Sequence, residues 1–232
     1  MKASLSSGKS MVAIPPTIMP PVTIPLRAIT LSPGSHLLIE NVSWEQYEAL
    51  LTELGEDRIV PRINYCHSTL ELMSPLPIHE RPNRIISDIV KTLLDIQDRD
   101  WEDFGSTTCR KTPEAGLEPD TCFYIQNSEQ MRACQRYNPA QDPPPDLAIE
   151  SDVTSKTTIK TYQVLQVPEV WIYEKQQLSI YLLKQGKYEI SSHSSIFPKL
   201  QIAELIPRLI IEAKQMGTRK MLKQLRQLPP IS

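Results

Sequence analysis

The chain has 232 residues, of which 40% are hydrophobic and 22% charged, and its formal net charge is -2. This is the composition of an ordinary globular protein, and the length allows one domain with a substantial core. The small negative charge excludes a polycation, so binding to duplex nucleic acid would need a local basic patch.

Residues 1–36 are rich in Pro and Ser and have no helical period, which predicts an N-terminal tail. Their most apolar stretch begins MVAIPPTIMPPVTIP and holds five prolines in those fifteen residues. Prolines at this density would interrupt a membrane-spanning helix or a signal-peptide core. We therefore expect a cytoplasmic protein with no membrane partner. The four cysteines form no C-x-x-C pair, which is typical of buried thiols in a reducing compartment.

Residues 37–206 carry the patterns of a folded core domain. The segment VSWEQYEALLTELGEDR predicts a helix, with Ser43 and Gln46 as a capping box and Gly55 at its end. RIVPRINY and STLELMS alternate like strands, and the turn-like CHS between them predicts a hairpin. HERPNRIISDIVKTLLDIQDRDW then has the broad apolar face of a long helix.

Six strand-like segments follow the long helix. They are FGSTTCRK, DTCFYIQ, PDLAIESD, EVWIYE, LSIYLLK and KYEISS. Between the third and the fourth, SKTTIKTYQVLQ predicts a short helix. A strand, a helix and a further strand in this order indicate a crossover unit, and hence an α/β fold with a mixed sheet.

Residues 207–232 are expected to form a basic C-terminal helical segment, broken near Gly217. Between Pro207 and Leu228 there are six Lys and Arg residues against the single acid Glu212. Both a solvated helix face and a phosphate-contacting patch are compatible with this pattern.

Carboxylates gather where PDLAIESD would leave the sheet. Alternation along the strand puts Asp146, Glu150 and Asp152 on one face, and ligands of such sheets collect at the C-terminal strand ends. Asp120 opens the preceding strand-like segment and would lie close to Glu150 if the two strands are neighbours. Two carboxylates that close need a shared proton or a cation between them, and oxygen ligands suit Mg²⁺ or Mn²⁺.

Other polar residues near these acids are also candidates. Glu80 lies at the start of the long helix, where a metal-site role and an ordinary first-turn carboxylate are both open. Lys156 and Lys160 share one helix face and could orient a water or neutralise phosphate charge, or be ordinary surface residues. Tyr162 and Trp171 are more typical of a core than of base-stacking platforms.

Four segments in this order resemble the Uma2 family (DUF820), restriction-endonuclease-like proteins of cyanobacteria. They are ELMSPLPIHE, LEPDTCFYIQN, PDLAIESDVTSKT and YQVLQVPEVWIYE. Each is weakly specific alone, whereas four at these spacings are much more so. The resemblance implies a PD-(D/E)xK restriction-endonuclease-like fold, a mixed sheet flanked by helices, and a metal-dependent phosphodiesterase site.

The resemblance also implies site residues. The family's helix glutamate falls on Glu80, its PD aspartate on Asp120 and its strand acid on Glu150. The metal would be held by Asp120 and Glu150 together with the main-chain carbonyl of Ser151, and Asp152 is a further candidate ligand.

This chain departs from the standard nuclease motif at one position. That motif has lysine two residues after the strand acid, where Asp152 stands here. Relatives in the family are similar in supplying lysine from the following helix, so Lys156 is the first choice for the catalytic lysine and Lys160 the second.

The expected function is that of a Mg²⁺-dependent (or Mn²⁺-dependent) deoxyribonuclease that hydrolyses phosphodiester bonds in DNA. A homodimer would suit the cleavage of two strands. The alternative is a nuclease-fold protein without catalytic activity that binds nucleic acid or a protein partner. The mild net charge and the displaced lysine are compatible with both.

Overall fold

The computed structural model describes residue 25 and residues 28–55, 61–74, 77–135, 137–138, 140–151 and 157–227. Asp152 and Lys156, both predicted site residues, lie outside these ranges. The chain divides into two compact units, Met1–Thr30 and Leu31–Ser232. In the first unit the N–H of Ala28 donates a hydrogen bond of 2.9 Å to the carbonyl of Pro25; all that follows concerns the second.

The described part of the second unit contains short and long strands together with six helices. The strands are β1 (His36–Glu40), β2 (Arg62–Cys66), β3 (Thr69–Met73), β4 (Glu102–Asp103), β5 (Cys109–Lys111), β6 (Ala115–Leu117), β7 (Thr121–Tyr124), β8 (Leu147–Ser151), β9 (Glu169–Glu174), β10 (Gln177–Lys184) and β11 (Lys187–Ser191). The helices are α1 (Trp44–Leu54), α2 (Pro77–Ile96), α3 (Ser128–Met131), α4 (Thr157–Leu165), α5 (Ile202–Met216) and α6 (Thr218–Leu225).

The larger sheet has six strands in the order β11-β10-β9-β8-β7-β4. Strands β8 and β9 are parallel and α4 lies between them in the chain, whereas the other neighbours in this sheet are antiparallel. A parallel pair needs such a crossover, so the predicted strand–helix–strand unit and the predicted mixed α/β sheet are confirmed.

Helices cover both faces of this sheet. On one face, α2, α5 and α6 share a core with alternate residues of β8, among them Leu147 and Ile149. On the other face α4 packs over Ala148 through Tyr162 and Leu165. The predicted flanking of the sheet by helices is thus confirmed, and alternation along β8 points Glu150 towards α4.

The smaller sheet is antiparallel, in the order β1-β3-β2-β6-β5. The predicted hairpin is its centre, with β2 and β3 joined at His67 and Ser68. Tyr65 of β2 stacks on Tyr47 of α1 with ring centroids 4.9 Å apart. Helix α1 has the predicted capping box, since Gln46 N–H donates to Ser43 Oγ and Ser43 N–H donates to Gln46 Oε1.

Gly116 allows Tyr47 to lie directly against β6. A Cβ atom added at Gly116 would be 2.0 Å from the Tyr47 hydroxyl oxygen and 2.5 Å from the ring carbon that bears it. Any larger residue would therefore displace the aromatic ring or the strand.

The start of one helix differs from that expected. Helix α2 begins at Pro77, ahead of the predicted segment that starts at His79, and Pro82 lies inside it. Strand β1 begins at His36, and α5 contains Pro207. The predicted break at Gly217 separates α5 from α6. No helix in the described ranges combines the length and the apolar character needed to cross a bilayer.

Candidate active site

Asp120 and Glu150 are brought together by the pairing of β7 with β8. Thr121 lies opposite Ile149 in this antiparallel pair, so Asp120 is one position before the ladder and Glu150 one position after it. The Oδ2 atom of Asp120 accepts a hydrogen bond of 2.6 Å from the main-chain N–H of Ser151. The two strands are neighbours, which is the condition under which Asp120 was expected to lie close to Glu150, and opposite positions such as these lie on the same face of a sheet.

The turn that carries Asp120 is fixed to the smaller sheet by Glu118. One carboxylate oxygen of Glu118 accepts a hydrogen bond of 3.2 Å from the N–H of Ile63, and the other accepts one of 3.0 Å from the hydroxyl of Thr108. The N–H of Glu118 donates to Asn64 Oδ1 at 3.3 Å. In the segment Glu118-Pro119-Asp120, Glu118 therefore has a structural role, whereas Asp120 lies in the candidate site.

The first turns of α2 also contact the turn that carries Asp120. The side-chain amide of Asn83 donates a hydrogen bond of 3.1 Å to the main-chain carbonyl of Asp120. Glu80 lies one turn earlier on this helix, and its side chain is 35% exposed. The helix therefore positions the Asp120 turn and also directs Glu80 to its edge.

Arg62, at the start of β2, joins these two acids. Its Nη2 atom donates to Glu80 Oε1 at 2.8 Å, and its Nη1 atom forms an ion pair with Asp120 Oδ1. The side chains of Arg62 and Asp120 are 10% and 11% exposed. A guanidinium suits this position, because its planar fork contacts two carboxylates at once and keeps its charge when buried.

Glu150 is buried on the inner face of β8. Its Oε1 atom accepts a hydrogen bond of 2.5 Å from the hydroxyl of Tyr162 on α4. Burial raises the pKa of Glu150 to about 7, against the opposing influence of the Tyr162 hydrogen bond and the Arg62 charge, and the charge of Glu71 adds to the rise. A carboxyl group with a pKa near neutrality is a frequent feature of functional sites.

Glu71 on β3 is the fifth charged residue of this cluster. Glu71 lies opposite Asn64 in the β2–β3 pair, and Asn64 is two positions along β2 from Arg62. Side chains two positions apart on a strand share a face, so Glu71 and Arg62 lie on the same face of the smaller sheet. Glu71 is 2% exposed, and neither carboxylate oxygen has a hydrogen-bond partner among the described residues. We refer to Arg62, Glu71, Glu80, Asp120 and Glu150 as the acid cluster.

A second buried glutamate, Glu169, has hydrogen-bond donors for both of its carboxylate oxygens. Glu169 accepts hydrogen bonds from the indole N–H of Trp171 at 2.6 Å and from the N–H and hydroxyl of Ser195 at 2.8 and 2.5 Å. Donors of this kind are what a buried carboxylate requires for a purely structural role. Glu71 lacks them within the described ranges.

The structure thus brings three predicted site residues together: Glu80, Asp120 and Glu150. Ser151 joins them through its N–H. Lys160 is exposed on α4, and its positive charge acts on Cys66, whose pKa burial raises and Lys160 partly lowers. None of the contacts found for Lys160 in the described ranges involves the acid cluster. The roles assigned to these residues stay predictions, as do those of Asp152 and Lys156.

Sequence reasoning did not single out Arg62, Glu71 or Asn83, and for Tyr162 it favoured a core role over base stacking. A signal for the first two existed, since both are charged residues within segments that alternate like strands. That pattern is usually typical of a solvent-facing side of a sheet. Here the polar side of β2 and β3 is covered, because Arg62, Asn64 and Glu71 are all buried.

The donor set fits a hard divalent cation of the Mg²⁺ type. Within the described ranges no group of three or more His, Cys, Asp or Glu side chains is arranged to hold a metal ion. Mg²⁺, however, is commonly held by one or two carboxylates, with waters and phosphate oxygens completing its shell. Burial of a carboxylate without hydrogen-bond donors, as at Glu71 within the described ranges, favours a cation beside it.

The Uma2 family, described as "Putative restriction endonuclease", matches residues 44–213. A crystal structure of "a putative nuclease belonging to DUF820" from Anabaena variabilis is similar to this chain at 15% identity and a TM-score of 0.48, over 78% of this chain and 99% of that one. No curated protein matches the sequence.

Proposed function

Since this chain belongs to the Uma2 family, we propose that it is a metal-dependent endonuclease that hydrolyses phosphodiester bonds in DNA. Family membership supports a nuclease-like function, while metal dependence and the choice of DNA are parts of the proposal. One observation carries it: Asp120 and Glu150, which are distant in the sequence, lie at opposite positions where β7 pairs with β8, and Arg62 joins Asp120 to Glu80.

In this proposal Asp120, Glu150 and the main-chain carbonyl of Ser151 hold Mg²⁺ or Mn²⁺. A cation in that position would lower the pKa of a bound water and neutralise charge on the reacting phosphate. Support comes from the 2.6 Å contact between Asp120 and the N–H of Ser151, because it keeps that carboxylate beside the strand end that carries Glu150. The Asn83 contact to the Asp120 carbonyl holds the turn in the same place.

Among the described residues, Arg62 supplies the positive charge of the acid cluster. Its two terminal nitrogens contact Asp120 and Glu80, and a guanidinium has further N–H donors that match phosphate oxygens. We assign to Arg62 the neutralisation of charge that builds on the phosphate during attack. An arginine cannot serve as a general base, because it stays protonated in proteins.

The reaction is a simple hydrolysis. A water oxygen attacks phosphorus and one P–O ester bond breaks. One proton of the water ends on the leaving alcohol and the other passes to solvent, so the products are a phosphate monoester and a hydroxyl group. Tyr162 holds Glu150 in one orientation throughout, through its 2.5 Å hydrogen bond.

A second candidate function is nucleic-acid binding without cleavage. It is favoured by the pairing of Asp120 with Arg62, because a carboxylate already neutralised by a guanidinium has less need of a metal ion. In that case the fold and the acid cluster would be kept, and only the hydrolytic step would be absent.

Cleavage assays separate the two candidates. Purified full-length protein is incubated with supercoiled plasmid and with single-stranded DNA, in Mg²⁺, in Mn²⁺ and in a chelator. For the nuclease we expect metal-dependent nicking, reduced by about two orders of magnitude in Asp120→Asn. Asparagine keeps an oxygen that can accept the Ser151 N–H, so this variant should still fold.

Asp100→Asn is the matched control, because Asp100 is an exposed aspartate that pairs with Arg132 outside the acid cluster. Its cleavage rate should equal that of the wild type. Equal rates for Asp120→Asn and the wild type would overturn the proposal. Binding of a labelled duplex without any cleavage would instead support the second candidate.

A further inference from the structure

Helix α6 and the residue that follows it carry four exposed cations and no acid. We refer to these four residues as the basic stripe: Arg219, Lys220, Lys223 and Arg226. No Asp or Glu follows Glu212 in the sequence. Because the whole chain has a formal net charge of -2, its positive charge is concentrated here rather than spread evenly over the surface.

The basic stripe lies on the side of α6 that faces away from the protein. Met221 and Leu225 are buried in the core that α6 shares with α2 and α5. At about 100° of rotation per residue, Arg219, Lys223 and Arg226 fall within roughly 60° of one another on the opposite side. These three cations therefore form a row about 10 Å long that points into solvent.

Exposed bases elsewhere in the chain have acidic partners. Arg132 pairs with Asp100, and Lys184 pairs with Glu189. Within the described ranges, no residue of the basic stripe has an ion-pair partner. Like charges three and four positions apart repel each other on a helix, so an external anion would relieve a repulsion that the chain itself leaves uncompensated.

The surroundings of α6 indicate which polyanion fits. A helix that lies on a membrane buries its apolar side among the lipids, but the apolar side of α6 is already packed in the core. The sequence has no aromatic residue after Phe197, so this segment provides no platform on which unpaired bases could stack. A row of cations without aromatic neighbours fits the phosphate backbone of a duplex.

Helix α2 connects the basic stripe with the candidate active site. It packs against α6, and its first turns carry Glu80 and Asn83. Its 20 residues make it about 30 Å long, which is less than the roughly 35 Å of one turn of B-DNA. A single bound duplex can therefore extend over both places.

We propose that the basic stripe binds the phosphate backbone of duplex DNA, independently of base sequence, and so positions the duplex at the candidate active site. The identity of this ligand rests on the proposed function. Contacts to phosphates fix the position of a duplex without reading its sequence. Binding does not require cleavage and is measured without it.

The test measures binding of a fluorescently labelled duplex to the full-length protein, by anisotropy in a chelator and over a series of salt concentrations. The double variant Lys223→Gln/Arg226→Gln should bind at least about tenfold more weakly at low salt, and its slope of log K against log salt should be smaller by about two. Lys220→Gln alone should reduce this slope by about one.

Arg132→Gln/Lys184→Gln is the matched control, because it removes the same charge at exposed bases outside the basic stripe. It should keep the slope of the wild type. Thermal unfolding should be the same for all variants, since every changed side chain is exposed.

An unchanged slope in the Lys223→Gln/Arg226→Gln variant, or an equal reduction in the control, would overturn the inference. Binding to vesicles that contain phosphatidylserine, without binding to the duplex, would also overturn it. A reduced slope in a protein that never cleaves DNA would support the basic stripe and count against the nuclease. Cleavage by a wild type whose duplex binding does not depend on the stripe would do the reverse.

Discussion

The carboxylate of Asp120 accepts a hydrogen bond of 2.6 Å from the main-chain N–H of Ser151, the residue that follows Glu150. The other oxygen of the same carboxylate pairs with Arg62 of the smaller sheet. Asp120 is therefore one of the points where polar contacts join the two sheets. Because both contacts are largely buried, changes at this point should affect stability as well as chemistry.

Arg62→Met should destabilise the protein by about 3–5 kcal/mol, because it leaves Glu80 and Asp120 without their cation in a mostly buried place. Arg62→Lys should cost less, since it keeps the charge, but a single ammonium group lacks the fork that contacts both acids. Urea unfolding of the metal-free protein measures both effects.

Arg132→Met is the control for this prediction. Arg132 also contacts two acids, Asp100 and Glu102, but its side chain is 57% exposed. Exposed ion pairs contribute at most about 1 kcal/mol, so this variant should unfold almost like the wild type. Equal losses for Arg62→Met and Arg132→Met would contradict the role given to burial here.

The nearness of Asp120 to Glu150 could be expected, on the condition that their strands are neighbours, because it follows from local rules. Alternation fixes which side chains of a strand share a face, and strands adjacent in the sequence commonly pair. The capping box at Ser43 and the β2–β3 hairpin were predictable for the same reason, since each depends on residues a few positions apart.

Arg62 and Glu71 could not be placed in the site in that way. Their own strands were predicted, but the alternation of a strand does not reveal what covers its polar face. That face is buried because α4 packs against β2, and because the turn before β7 is held against β2 by Glu118. Contacts between two sheets depend on tertiary packing that no local pattern contains.

Gly116→Ala should destabilise the smaller sheet by about 1–3 kcal/mol or more, because the new methyl group would overlap the Tyr47 ring. In the double variant with Tyr47→Phe, the oxygen 2.0 Å from the methyl group is gone but the ring carbon at 2.5 Å is not. The cost of the pair should therefore be smaller than the sum of the single costs. A double-mutant cycle by urea unfolding measures this, and additive costs would contradict the overlap.

The metal-free protein should lose stability as the pH rises towards neutrality. The pKa of Glu150 is about 7 in the folded protein, against an ordinary value of 4.5, because burial disfavours its charged form. Between these values the folded state binds more protons than the unfolded state, so this group's contribution falls as pH rises and is constant above about 7. The loss should be roughly 3 kcal/mol, at about 1.4 kcal/mol per pKa unit.

Glu150→Gln removes this titration and isolates the effect. The difference in unfolding free energy between wild type and variant, measured in a chelator from pH 4 to 9, should change across the window from 4.5 to 7 and level off beyond it. Differences that stay constant over the whole range would show that Glu150 is not buried in its charged form. Acids outside the acid cluster titrate equally in both proteins, so they cancel in the comparison.

Tyr162→Phe should move this window to higher pH. The Tyr162 hydroxyl donates a 2.5 Å hydrogen bond to Glu150, and that bond lowers the pKa of the carboxyl against the larger effect of burial. Without this hydrogen bond the pKa of Glu150 in the folded protein rises further. The difference in unfolding free energy between Tyr162→Phe and the double variant Tyr162→Phe/Glu150→Gln should therefore level off at a higher pH than the difference between wild type and Glu150→Gln.

Tyr188→Phe is the matched control, because the Tyr188 hydroxyl also donates to an acceptor beside α4, but to the uncharged carbonyl of Val167 at 2.6 Å. It should lower stability by about 1 kcal/mol at every pH and leave the midpoint unchanged. A midpoint that moves equally in both variants would mean that general loosening around α4, rather than the contact with Glu150, sets the titration.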